Sequence, residues 1–247
     1  MSGVAIVTGG SRGIGAATSV LLAERGWEVV VGYRAAADAA AAVVGSCTGV
    51  GAAAVAVRCD VSVPGDVAEL FAAADELGPL GALVNNAGIV APAARVDEVS
   101  FARLTELMAV NVVGAFLCAG EAVRRMSTRH GGIGGSIVNV SSAAARLGAP
   151  GEYVDYAASK GAVDTMTLGL AREVADEGIR VNAVRPGLID TDIHASGGRP
   201  DRVAAMRDGI PMRREGTAAE TALAIAWLCG PESSYTTASF TEVSGGR

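Results

Sequence analysis

The sequence predicts an α/β fold, a doubly wound parallel sheet with helices on both faces. Three observations carry the prediction. Short β-branched runs recur along the chain and alternate with longer helical segments. Most of these runs are apolar on both faces, the mark of parallel strands that are covered on both sides. The first run ends in a glycine-rich turn, and a helix opens immediately after it.

The totals agree with this class. A chain of 247 residues is ordinary for one α/β domain, and no linker, low-complexity tract or repeat divides it, so a single domain over 1–247 is expected. Hydrophobic residues make up 50% and charged residues 19%, ample for a large core. A net charge of −6 gives no electrostatic reason to expect nucleic acid. Cys47, Cys59, Cys118 and Cys229 show no C-x-x-C spacing, and with two histidines besides, neither a disulfide framework nor a metal site is expected. The first strand begins too early to leave room for a signal peptide. Glycine and charge are expected to keep every apolar run below membrane-spanning length. A cytoplasmic protein with no membrane partner is the expectation.

Seven strands are predicted, at Val4–Thr8, Glu28–Gly32, Ala53–Arg58, Ala82–Asn85, Ser136–Val140, Ile179–Val184 and Ser239–Val243. Right-handed crossovers would join them and place ligands at their carboxyl ends. The first strand runs into Thr8-Gly-Gly-Ser-Arg-Gly-Ile-Gly15, with glycines spaced Gly9-x-x-x-Gly13-x-Gly15. Such glycines let the backbone turn tightly and let a phosphate approach the amides of the following helix. Taken alone the motif is equally a structural turn; the strand before and helix after it favour the phosphate reading.

Dinucleotide binders choose their cofactor after the second strand, where an acidic residue takes a ribose 2′-hydroxyl and an arginine accepts a 2′-phosphate. Here the chain has Gly32-Tyr33-Arg34, with Arg12 in the glycine loop as a second cation. Two guanidiniums favour NADP(H) over NAD(H). The bland alternative is a pair of solvated arginines. Ala35–Ala42 follows as helix-favouring sequence.

The third strand leads to Arg58-Cys59-Asp60-Val61, where Asp60 can meet an adenine amino group or cap the helix after Pro64, with Ser62 and Asp66 closer candidates for the cap. The fourth ends in Asn85-Asn86-Ala87-Gly88, small and amide-bearing, as suits a close backbone passage beside a ligand. Asn111 lies inside a helical pattern over Leu104–Met126, read otherwise as a surface or kink residue.

Val138-Asn-Val140 delivers Ser141 and Ser142 to the fifth strand's end. From Tyr153 to Ala175 the pattern is helical, which puts Tyr156 and Lys160 on one face. A phenol has a pKa near ~10 and is a poor proton donor or acceptor at neutral pH. An ammonium one turn away favours the phenolate, and a serine hydroxyl can hold a carbonyl or alcohol oxygen against it. Tyr-x-x-x-Lys is also common by chance in helices, so the reading depends on its surroundings.

In this order and spacing, Thr8–Gly15, Cys59-Asp60-Val61, Asn85–Gly88, Asn111, Ser142, Tyr156-Ala-Ala-Ser-Lys160 and Arg185-Pro-Gly-Leu-Ile-Asp-Thr191 together resemble the short-chain dehydrogenase/reductase family over essentially the whole chain. The resemblance implies a Rossmann-type fold, seven parallel strands and usually a homotetramer. It makes Tyr156 the acid/base, Lys160 the group that lowers its pKa and holds the nicotinamide ribose, Ser142 the orienter of the substrate oxygen, and Asn111 the support of a water-linked proton path. It implies a cofactor site built from Gly9, Ser11, Arg12, Gly13, Ile14, Gly15, Tyr33, Arg34, Asp60, Val61, Asn86, Ala87, Gly88, Tyr156, Lys160, Pro186, Gly187, Ile189 and Thr191.

The family usually sets its serine thirteen residues before the tyrosine, whereas Ser142 stands fourteen before and Ala143 holds the usual place. Ser142 is favoured, with Ser141 the runner-up. The family commonly has Thr-Gly where this chain has Thr237-Ala238. The implied reaction is hydride transfer between NADP(H) and a carbonyl or alcohol carbon of a small substrate. A glycine-rich segment over 188–211 is a candidate lid, with His194 a solvated residue of it, and Arg124, Arg125 and Arg129 are weighed as an acyl-carrier dock. A non-catalytic dinucleotide-binding sensor, an NAD-preferring alcohol or sugar dehydrogenase, and a sugar epimerase or dehydratase are the alternatives. A sensor has no need of the acid/base set.

Overall fold

The computed structural model describes residues 3–191 and 206–247. Its strands are β1 (Val4–Val7), β2 (Glu28–Tyr33), β3 (Ala54–Arg58), β4 (Leu80–Asn85), β5 (Gly135–Val140), β6 (Ile179–Pro186) and β7 (Phe240–Val243). The helices are α1 (Gly13–Glu24), α2 (Ala37–Gly49), α3 (Pro64–Leu77), α4 (Phe101–Met108), α5 (Gly114–Met126), α6 (Ala144–Leu147), α7 (Val154–Glu173) and α8 (Ala218–Cys229). All seven expected strands are present, their ends within two residues of expectation.

The strands form one parallel sheet in the order β3-β2-β1-β4-β5-β6-β7. Successive side chains of a strand point to opposite faces, and β1 shows the consequence. Val4 and Ile6 enter one hydrophobic cluster, with Phe71 and Leu70 of α3, Cys118 and Met126 of α5 and Ala171 of α7. Ala5 and Val7 enter the other, with Leu22 of α1, Val43 of α2 and Ile225 and Leu228 of α8. The doubly wound Rossmann-type arrangement follows, and the strand order reverses between β1 and β4. That reversal opens a crevice at the carboxyl end of β1.

Local chemistry sets the helix ends. Pro64 opens α3 at a position where its missing N–H costs nothing. Thr217 and Glu220 form a reciprocal capping box on α8. The expected caps of α3 are corrected: its N-cap is Val63, without a side-chain bond, and Asp66 reaches back to the Asp60 amide at 2.9 Å.

The expectation about apolar runs also needs correction. Phe101–Met126 forms one 26-residue helical stretch whose length and mean hydropathy of 1.5 would suffice to cross a membrane. Its apolarity has another cause. Leu107, Val110, Cys118, Ala122 and Met126 lie buried along one stripe, several of them in the cluster over the sheet.

Candidate active site

The β1 turn is shaped by its glycines. Gly9 and Gly13 adopt φ of 62° and 53°, in the left-handed region that a side chain would strain. A Cβ at Gly15 would stand 2.3 Å from the Gly9 carbonyl oxygen. Asn86 braces the turn from β4, its Nδ2 donating to the carbonyls of Thr8 at 2.9 Å and Gly9 at 3.0 Å. The Asn86 and Ala87 amides both donate to Thr8 Oγ1 at 3.0 Å. No side chain caps the N-terminus of α1 and no acid lies in its first turn, so its amides face the crevice unopposed.

Beside the turn lies a cavity of about 630 Å³ walled by Gly9, Ser11, Arg12, Gly13, Ile14, Arg34, Asp60, Val61, Asn86, Ala87, Gly88 and Thr191, among others. Arg12 and Arg34 are exposed at its rim. Asp60 accepts from the Ser62 amide at 3.0 Å and hydroxyl at 2.6 Å. The Ser62 hydroxyl, with help from Arg34 and Arg58, holds its carboxyl below the usual range. Tyr33 lies outside both cavities described here and packs on the α1–α2–α8 cluster.

A second cavity of about 500 Å³ shares Ile14, Asn86, Gly88, Val90 and Thr191 with the first. Ser142, Tyr156, Lys160, Pro186, Gly187 and Ile189 line it together. Its outer wall is Val90, Leu147, Pro150, Tyr153, Leu188 and Met206; Leu188 and Met206 belong to the expected lid segment, whereas Val90 was not singled out from the sequence. Its remaining expected neighbours over 192–205 lie outside the described residues, which takes in most of the candidate lid and His194.

A chain of buried polar bonds fixes α7 against the sheet. Asn85 Nδ2 donates to Asn139 Oδ1 at 3.0 Å, and Asn139 Nδ2 donates to Thr167 Oγ1 at 2.9 Å. With α7 so placed, Lys160 is buried and its Nζ donates to the Val140 carbonyl at 2.8 Å, 5.7 Å from the centroid of the Tyr156 ring. Burial pulls the lysine down to about 8, opposed by the Asp164 carboxylate.

The two serines diverge. Ser141 is buried and donates to Asp164 Oδ1 at 2.6 Å. Ser142 is half-buried, and its Oγ accepts from the Ala144 amide at 3.1 Å, leaving the hydroxyl proton available to the cavity.

Asn111 is both kinked and buried. It sits in a π-helical turn over Ala109–Val113 that joins α4 to α5. Its Oδ1 accepts from the Ile89 amide at 2.8 Å, and its Nδ2 donates to the Ile89 carbonyl at 3.0 Å and Ser159 Oγ at 3.1 Å. A Cβ at Gly88 would stand 3.4 Å from Asn111 Oδ1 and 3.5 Å from Lys160 Nζ, ordinary contact distances that put the Gly88 backbone against both groups.

The three arginines weighed as a dock are held in ion pairs: Arg124 with Glu121, Arg125 with Asp75 and Glu121, and Arg129 with Glu177.

A family model of the short-chain dehydrogenase type (adh_short_C2), described as enoyl-(acyl carrier protein) reductase, matches residues 9–247. The chain belongs to the short-chain dehydrogenase/reductase family. Among relatives, it is 52% identical to the uncharacterized oxidoreductase YgfF of Escherichia coli (strain K12) over 99% of both chains. It is 36% identical to a chloroplastic NADPH-dependent aldehyde reductase-like protein of Arabidopsis thaliana, over 98% of this chain and 93% of that one. Its fold superposes with a TM-score of 0.90 on a short-chain dehydrogenase from Burkholderia cenocepacia J2315 crystallised with NADP, at 33% identity over 99% of this chain and 97% of that one. As a member of the short-chain dehydrogenase/reductase family, the protein is an oxidoreductase acting on CH–OH and C=O groups, with a nicotinamide dinucleotide as cofactor.

Proposed function

We propose that the protein is an NADP(H)-dependent ketoreductase that reduces the carbonyl, or oxidises the alcohol, of a small substrate. The observation that carries this reading is the convergence of Ser142, Tyr156 and Lys160 on one cavity that opens into the cavity of the glycine turn. The cofactor fits the residues present: glycines shape the turn, the start of α1 is uncapped, and Arg12 and Arg34 at the cavity rim offer two cations to a 2′-phosphate. A bound nicotinamide dinucleotide supplies the hydride in reduction and accepts it in oxidation.

The chain's own groups handle the proton. Tyr156 gives its phenolic proton to the carbonyl oxygen in reduction and takes it back in oxidation. The Ser142 hydroxyl donates to that oxygen and keeps it within reach. Lys160 supplies positive charge that makes the phenolate accessible near neutral pH, and it would hold the nicotinamide ribose. Asn111 holds the wall through Ile89 and supports the proton path to Lys160. Gly9, Ser11, Gly13, Ile14 and Gly15 would meet the pyrophosphate, with Asp60, Val61, Asn86, Ala87 and Gly88 at the adenosine and Pro186, Gly187, Ile189 and Thr191 at the nicotinamide.

The chain is read as one domain, with a lid over 188–211. Cytoplasmic localisation is supported by four buried, free cysteines. A homotetramer is supported by exposed Phe101, Val113 and Phe116 on the long helical stretch and by Leu223 and Trp227 on α8. The test of the activity is a panel of ketones and aldehydes followed by loss of NADPH absorbance, with NADH alongside. Turnover with NADPH supports the reading, and a panel inert with both cofactors refutes it.

A further inference from the structure

We propose that Asp164 is a positioning residue for the proton-transfer pair: it ties the Ser141 hydroxyl inward, leaving the Ser142 hydroxyl for the substrate, and it sets a carboxylate one helical turn from Lys160. The inference rests on the assignment of Tyr156 and Lys160 made above.

Asp164 lies one turn beyond Lys160 on α7 and is itself buried. Each of its oxygens is engaged. Oδ1 accepts from Ser141 Oγ at 2.6 Å, and the same hydroxyl stands 3.3 Å from the Lys160 carbonyl. Oδ2 accepts from Arg185 Nη2 at 2.8 Å and Nε at 3.1 Å. Arg185 stacks 4.0 Å over the Phe240 ring and passes its Nη1 to Glu242 Oε1 at 3.0 Å. Glu242 in turn binds Arg146 of α6 at 3.1 Å, and α6 carries Leu147 of the substrate wall. A line of alternating charges therefore runs from beside the lysine, across β6 and β7, to the far side of the cavity.

The consequence for the serines is geometric. Adjacent residues leave a strand end in opposite directions, and a short bond to a buried carboxylate fixes which one turns inward. The fourteen-residue spacing leaves Ser141 and Ser142 as alternatives, and Asp164 decides between them.

The consequence for the lysine is electrostatic. From its own helix it faces the Tyr156 ring, and Asp164 follows one turn further along. From β5 and its end it faces the Val140 carbonyl and Ser141, and from the β4 side the backbone of Gly88 with Asn111 behind it. Arg185, from β6, reaches Asp164. Burial disfavours the ammonium and Asp164 favours it. Removing a negative charge eases proton loss from the Lys160–Tyr156 pair taken as a unit, and removing a positive charge opposes it.

The test is the pH profile of kcat/KM for carbonyl reduction in Asp164→Asn, whose side-chain oxygen can still accept from Ser141. Its alkaline limb is expected to move to lower pH by about 0.5–1 unit, with NADPH affinity within about twofold of the parent. Asp164→Glu is expected to return the limb to its place. Arg185→Gln is expected to move it the other way, which keeps the test decisive if Asp164→Asn does not fold. A limb that stays put in Asp164→Asn, or that moves downward in Arg185→Gln, overturns the proposal. Tyr156→Phe run in parallel separates the two ideas. If it is inactive while Asp164→Asn has the parent profile, only the role of Asp164 is lost; if it turns over freely, the parent assignment is.

Discussion

The Asn111 carboxamide closes on Ile89 at two points, taking its amide proton at 2.8 Å and donating to its carbonyl at 3.0 Å. The pair ties the π-helical turn between α4 and α5 to the segment leaving β4, which walls the cavity beside the glycine turn. A widened helical turn weakens the regular ladder, so a side chain that binds both polar groups of a neighbouring backbone gives it a reason to persist.

Asn111→Ala would leave both Ile89 groups without their partner inside the fold. A fully buried group left unsatisfied costs about 1–3 kcal/mol; the two Ile89 groups are part-buried, so a total loss of about 1–3 kcal/mol is expected. Urea denaturation would measure it. A change below about 0.5 kcal/mol, within the range of ordinary surface substitutions, would show that the clasp does not stabilise the turn.

The two serines should separate by what they change. Ser142→Ala removes the donor aimed into the cavity and is expected to lower kcat/KM by about 10²–10³-fold with little loss of stability. Ser141→Ala breaks the bond to Asp164 and is expected to cost about 1–3 kcal/mol of stability. Kinetics and denaturation on both variants check this; equal kinetic losses would contradict the separation.

Arg34→Asp places an anion where the account has a 2′-phosphate. Losing a charge-assisted contact worth about 1.5–3 kcal/mol should raise KM for NADPH about 10–100-fold and bring NADH forward. An unchanged NADPH:NADH ratio of kcat/KM would remove Arg34 from the cofactor site.

Burial holds Lys160 down to about 8. Below that pH it is an ammonium; above it the charge is lost, and the lysine and tyrosine give up protons as a coupled pair. The phenolate that develops as Tyr156 gives up its proton then lacks the ammonium beside it, so kcat/KM for reduction should fall as pH rises through about 8. A reduction rate that climbs steadily into the alkaline range would oppose this sign.

Much of this was legible in the sequence because the signals are local. Strand runs, the glycine turn and Tyr-x-x-x-Lys depend on near neighbours, and each lies where expected. What was hidden depends on partners distant in sequence. Asp164 meets Ser141 and Arg185, 23 and 21 positions away, and no local pattern announces either pairing. Asn111 is unremarkable as a helical asparagine until Ile89 is seen against it. The apolar stretch over Phe101–Met126 shows the opposite limit, since composition alone does not distinguish a sheet-facing helix from a spanning one. Ala238 stands where the family commonly has glycine, and it adopts φ of 57°; the backbone demand remains, met here by the smallest side chain.

The most direct measurement is steady-state carbonyl reduction by Tyr156→Phe beside a fluorescence titration of NADPH binding. The account predicts a fall in kcat of about 10²–10⁴-fold with the dissociation constant for NADPH nearly unchanged. A variant that binds NADPH normally and still turns over at close to the parent rate would contradict it.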